Sequence, residues 1–129
     1  MRDAHVGDLQ HAILEVLWDR EEATVAEVHR QLEPERGLAL TTIATMLTKM
    51  ERRGLVSHSR DGRRYVYRPR VSRKTVRRSM VTELTDRLFA GDPTELVAHL
   101  LREHEIDSTE LDELHRRVEA ASPPTDDEE

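Results

Sequence analysis

The chain has 129 residues, a formal net charge of −6, 36% hydrophobic and 36% charged side chains, and no cysteine. The missing cysteine excludes disulfides, thiolate metal sites and cysteine nucleophiles. The length allows one compact domain or two very small ones. No apolar run approaches the ~18 residues that a membrane span needs. The N-terminal MRDAHVGDLQ carries no apolar stretch of the signal-peptide kind, so the expectation is a soluble cytoplasmic protein without membrane insertion.

The net charge hides an asymmetry. Residues 1–78 hold 16 Lys/Arg against 11 Asp/Glu, whereas residues 79–129 hold 4 against 15. Between Arg36 and Arg78 there are 13 basic and 2 acidic side chains. A basic half inside an acidic chain is the electrostatic footprint of a nucleic-acid-binding segment.

The first predicted helix is GDLQHAILEVLWDR, with Asp8 as N-cap and an apolar stripe at Leu9, Ala12, Ile13, Val16 and Leu17. Trp18 at its end reads as core. The second, ATVAEVHRQLEP, opens with the Thr24/Glu27 pair of a capping box. Val25, Val28 and Leu32 share one face, and Pro34 and Gly37 are expected to end the helix. The third runs from about Leu40 to Arg53, with Ile43, Leu47 and Met50 inward and Gly54 just past the end. Its other face carries Thr41, Thr42, Thr45, Thr48, Lys49 and Arg52. Four threonines are poor material for a helix surface, which points to a face selected for contact.

Two alternating stretches, 55–60 and 63–68, predict strands joined by an Asp61-Gly62 turn with positive φ at both positions. Tyr65 and Tyr67 fall on one face and are expected to brace this hairpin against the third helix. Three helices and a hairpin in this order define a winged helix-turn-helix, whose third helix enters a major groove.

Thr45, Thr48 and Lys49 are then placed at bases or phosphates, with Ala44 near a thymine methyl. Thr41 and Thr42 at the helix start suit a phosphate. Arg60, Arg63 and Arg64 around the wing supply salt-dependent backbone contacts. Arg52 sits where a cation also favours the helix dipole.

From Ser72 the pattern is helical again, with apolar positions at Val76, Met80, Leu84 and Leu88 and a stop at Gly91. DPTELVAHLLREH opens with Asp92 as N-cap and Pro93 at the first helical position, and presents Leu96 and Leu100. A last helix opens at Asp107 or Ser108 and presents Leu111, Leu114 and Val118. These three helices offer too little apolar surface to fold alone, and a second subunit supplies the missing core. SPPTDDEE reads as a solvated acidic tail. The expected domains are a winged helix at 1–70, a helical dimerisation region at 71–121 and the tail at 122–129. The fold class is mainly α with a small β-hairpin.

Chemistry other than binding finds no support. The chain has no H-E-x-x-H, G-x-S-x-G or phosphate-loop motif, so no enzyme is expected. Glu95, His99 and Glu103 recur at spacing four, followed by His104, but this reads as a solvated face. No metal and no cofactor are expected.

The series GDLQHAILEVLW, TVAEVHRQL, TTIATMLTKMERRGLV and a DG-type wing resembles the BlaI/MecI/CopY family of bacterial repressors over residues 6 to 119. The resemblance implies a homodimer whose winged helix binds a palindromic double-stranded DNA operator and whose C-terminal helices dimerise. In the beta-lactam-resistance branch, proteolysis in the dimerisation region relieves repression, downstream of a membrane sensor protease. The scissile Asn-Phe pair of that branch is replaced here by His99-Leu100 in LVAHLLRE. The cysteine cluster of the copper-responsive branch is absent. Two rival readings remain open at this point. One is a winged-helix regulator that senses a small ligand through its C-terminal helices, and the other is a protein-interaction module.

Overall fold

The computed structural model describes residues 6 to 121. The acidic tail expected at 122–129 lies outside the described residues. The chain forms two compact units, Met1–Leu84 and Thr85–Glu129.

The first unit opens with α1 (Asp8–Arg20). Gly7, not Asp8, is its N-cap. The Gly7 N–H donates to the Gln10 carboxamide oxygen at 3.1 Å, and glycine has no side chain to return the bond. Asp8 lies in the first turn and pairs with Arg36 at 2.8 Å, which holds its carboxyl below the ordinary carboxylate range. Ile13, Leu14, Val16 and Leu17 are buried. Leu14 lies beside the expected stripe, because α1 packs against both following helices and the sheet and so buries a wider face.

A two-residue strand, β1 (Ala23–Thr24), precedes α2 (Val25–Arg36) and was not visible in the sequence pattern. The capping box closes as its residues predict. Thr24 Oγ1 accepts from the Glu27 N–H at 3.2 Å, and the Glu27 carboxylate accepts from the Thr24 N–H at 2.8 Å. Pro34 does not end α2. It sits in the last turn, where it deletes one backbone donor without breaking the helix, and Gly37 terminates it in the left-handed region at φ +61°.

The third helix, α3, spans Leu40–Arg52. Ile43, Leu47 and Met50 are fully buried, and Gly54 at φ +80° turns the chain out. The hairpin follows as β2 (Val56–Asp61) and β3 (Arg64–Pro69), one residue later than expected. Asp61 pairs with Arg64, so the two-residue turn is Gly62-Arg63 rather than Asp61-Gly62. Only Gly62 has positive φ, +68°, as a type II′ turn requires. The sheet order is β1-β3-β2, all antiparallel, with Ala23 opposite Tyr67 and His58 opposite Tyr67 on the other side.

The fourth helix, α4 (Arg73–Phe89), is capped by Ser72, whose hydroxyl accepts from the Thr75 N–H at 3.0 Å. Val76 is buried in the core of the first unit and Met80 packs against it. The start of α4 therefore completes the winged helix, which extends beyond the boundary expected at residue 70.

The second unit holds the end of α4, α5 (Pro93–Glu103) and α6 (Ser108–Ala121). Ala90 and Gly91 both have positive φ and stop α4. Asp92 accepts from the Thr94 N–H at 3.0 Å and caps α5. Asp107 and Glu110 cap α6 reciprocally, at 2.8 and 3.1 Å. Neither α5 nor α6 buries a residue. Among the described residues, no helix is long and apolar enough to cross a membrane.

Candidate nucleic-acid interface

The inward stripe of α3 fixes which residues point out. With Ile43, Leu47 and Met50 buried, the exposed arc carries Thr41, Thr42, Thr45, Thr48, Lys49 and Arg52, and Ala44 lies half-buried at its margin. All six of the polar positions read from the sequence thus share one surface of one helix. Leu40, at the first turn, is a large apolar side chain left exposed beside them. The N-cap of α3 is Ala39, which has no side-chain acceptor for the first N–H groups.

Thr48 is more committed than its pattern implies. Its hydroxyl donates to the Ala44 carbonyl at 3.1 Å, the back-bond that threonine makes inside helices. Burial raises the Tyr67 phenol above its ordinary value, and Glu51 adds to the effect.

The wing cations differ among themselves. Arg64 pairs with Asp61 at 2.9 Å across the turn. Arg60 lies over the Tyr65 ring, 5.7 Å from its centroid. Arg63 occupies the turn itself and is exposed. Among the described residues, Lys49, Arg52 and Arg63 have no acidic partner, so their charge is available to an anion such as a phosphate. Arg68 is spent on Glu22 at 2.7 Å and on Ser59 at 2.8 Å, which ties β3 to the segment before β1.

One group joins helix and wing and was missed in the sequence. Glu51 Oε1 accepts from His58 Nδ1 at 2.7 Å. The His58 ring stacks on Tyr65 at 4.3 Å and lies tilted against Tyr67 at 5.3 Å. Strand alternation already put His58 on the face of Tyr65 and Tyr67 once the register was known. The reach from α3 to β2 was the unreadable part.

The positions expected to dimerise fall differently. Leu84, Leu88, Leu100, Leu111, Leu114 and Val118 are exposed, Leu88 by 67% and Val118 by 62%, and Leu96 is half-buried. Met80 is not with them, because it packs on the core of the first unit. Val81 and Val97 are exposed apolar side chains that the stripe did not include. His99 and Leu100 lie inside α5, with the His99 ring 5.6 Å from Phe89. Among the described residues, no three His, Asp or Glu side chains converge on a point that could hold a metal ion.

The fold and this surface define a winged helix-turn-helix DNA-binding regulator. A family model described as penicillinase repressor matches residues 6–120, and the chain belongs to that family. It is 34% identical over 115 residues to the transcriptional regulator BlaI of Mycobacterium tuberculosis, covering 88% of this chain and 82% of that protein. It is 23% identical over 114 residues to the penicillinase repressor of Bacillus licheniformis, covering 88% and 89%. The solution structure of the DNA binding domain of the repressor BlaI superposes with a TM-score of 0.50 at 26% identity, over 54% of this chain and 85% of that one. The family is one of DNA-binding transcriptional repressors, not of enzymes.

Proposed function

We propose that the protein represses transcription as a homodimer bound to a palindromic operator, with α3 in the major groove and the β2–β3 wing on the flanking backbone. The observation that carries this reading is the exposed threonine and lysine arc of α3 beside wing arginines, with Lys49, Arg52 and Arg63 lacking acidic partners among the described residues. Thr45 and Lys49 read base edges, Ala44 meets a thymine methyl, and Thr41, Thr42 and Arg52 hold phosphates. Thr48 contributes by contact. Arg60, Arg63 and Arg64 track the backbone at the wing.

The dimer rests on the C-terminal helices. The exposed leucines and Val118 of α4, α5 and α6 support pairing with a second copy, since isolated faces of this kind lack a core of their own. Repression is relieved by a signal acting on these helices. Cleavage by a membrane sensor protease at His99-Leu100 would require α5 to open locally first.

Fluorescence anisotropy on the protein's own upstream DNA, against a scrambled duplex at two salt concentrations, tests the reading. Tight, salt-sensitive binding that prefers the native duplex, at two subunits per site, is expected. Equal weak binding to both duplexes would refute it.

A further inference from the structure

Leu38 and Leu40 stand on either side of the α3 N-cap and go opposite ways. Leu38 packs against the core of the first unit, whereas Leu40 is 47% exposed. Every other large apolar side chain of α3 is taken up, with Ile43, Leu47 and Met50 buried and Met46 packed on the core. Among the described residues up to Arg70, the other exposed large hydrophobic side chain is Tyr65, whose ring has His58 at 4.3 Å and Arg60 at 5.7 Å. A single surface leucine is ordinary in itself. This one is set apart by where it stands.

We propose that Leu40 is a specificity-determining residue that contacts the C5-methyl group of a thymine in each operator half-site, about two base steps from the thymine met by Ala44. This rests on the operator-binding reading above.

Position carries the argument. Leu40 is the first residue of α3, and the N-terminal residues of a recognition helix are the ones that reach base edges. Leu40, Ala44 and Thr48 stand four apart and so form one row along the helix. The row is poor in free donors, because the Thr48 hydroxyl already donates to the Ala44 carbonyl at 3.1 Å. Base edges in the major groove present donors, acceptors and the thymine methyl, and of these a leucine complements the methyl. Four residues of helix advance about 6 Å. Bases along a strand repeat at about 3.4 Å, which sets the two-step separation.

Charge agrees with this placement. No acidic side chain occurs in α3 before Glu51, which is bonded to His58, and Lys49 and Arg52 lie on the adjoining arc. A polyanion is therefore drawn to the surface that carries Leu40. The competing occupant is a peptide, because Leu40 also borders an open cleft with His29 and Leu38, whose rim holds Arg30 and Glu33. A peptide seated there would make Leu40 indifferent to any thymine methyl.

The test is anisotropy of the full chain on its own upstream duplex, with thymines replaced one at a time by deoxyuridine, which removes the methyl alone. Wild-type affinity is expected to fall about three- to five-fold at one thymine of each half-site, the size of one methyl group withdrawn from water. Leu40→Ala should bind the native duplex more weakly by about the same factor and lose its sensitivity to that methyl. Its salt-dependence slope should match the wild type, since no phosphate contact is removed. Leu40→Met, which keeps a long apolar side chain, should restore the sensitivity.

Leu40→Ala that weakens the thymine and deoxyuridine duplexes equally at every position would overturn the proposal, and so would unchanged affinity. A wild type that prefers its native duplex but ignores every single methyl would overturn it and leave the repressor reading standing. A wild type with no preference for the native over a scrambled duplex would refute both.

Discussion

The Trp18 indole N–H donates to the Val71 carbonyl at 2.9 Å, which pins the chain between the hairpin and α4 to the end of α1. Arg73 reinforces this, with its guanidinium 5.2 Å from the centre of the Trp18 ring and bonded to Glu15 at 2.8 Å and Asp19 at 3.1 Å. Trp18→Phe keeps the ring and loses the bond, so it should cost about 1 kcal/mol in urea unfolding. Trp18→Ala should cost about 3 kcal/mol, the lower end for a large aromatic because the ring is only half-buried.

The same packing sets where the winged helix can be cut. A chain ending at Leu84 keeps Val76 and Met80 on the core and is expected to unfold cooperatively. One ending at Arg70 loses the fully buried Val76 and the Val71 carbonyl, at a cost of about 2–3 kcal/mol or more. Equal midpoints for the two truncations in a urea titration would show that the start of α4 contributes nothing to the first unit.

The cap of α2 makes a separate prediction about acid. Thr24→Ala should destabilise by about 1 kcal/mol. The Thr24 N–H holds the Glu27 carboxyl below its ordinary value, with Arg20 adding to the effect. A carboxyl lowered in the folded state stabilises fully above its unfolded value and loses that contribution as the pH falls through the folded one. Thermal melts should therefore show the Glu27→Gln penalty at neutral pH and a smaller penalty below about pH 4.

At the interface, Lys49→Ala and Arg63→Ala should each weaken binding to all duplexes and reduce the salt-dependence slope by about 0.9. An unchanged slope would remove that residue from the phosphate contacts. Arg64, already paired with Asp61, should change the slope less than Arg63 does.

The dimer is tested on α6. Leu114→Glu should shift sedimentation toward the monomer at micromolar concentration and leave helix content intact, because the side chain is exposed in the single chain. Unchanged sedimentation of a wild-type dimer would take α6 out of the interface.

Much of this architecture was legible in the sequence because local chemistry dictates it. The Thr24/Glu27 box, the Ile43, Leu47 and Met50 stripe, and Gly54 past the end of α3 need only neighbours within a turn. What escaped was set by distant partners. Ala23 and Thr24 are a strand only because β3 offers them hydrogen bonds. Met80 has the spacing of the α4 stripe, but tertiary packing gives it to the core of the first unit. The hairpin slipped by one residue because Asp-Gly fits one turn position pair and Gly-Arg another, and strand register chooses between them. The face of α3 was readable from periodicity. The tie from Glu51 to His58 was not, since it crosses from a helix to a strand.

Ala39 draws a last consequence. Thr24, Ser72, Asp92 and Asp107 each offer an oxygen to the start of a helix, whereas α3 begins at a methyl group. An alanine there forgoes about 1 kcal/mol relative to a capping residue. α3 thus carries a helix end that its own side chains leave unfinished. Ala39→Asp should therefore stiffen the first turn of α3 and stabilise the free protein by about 1 kcal/mol in urea unfolding.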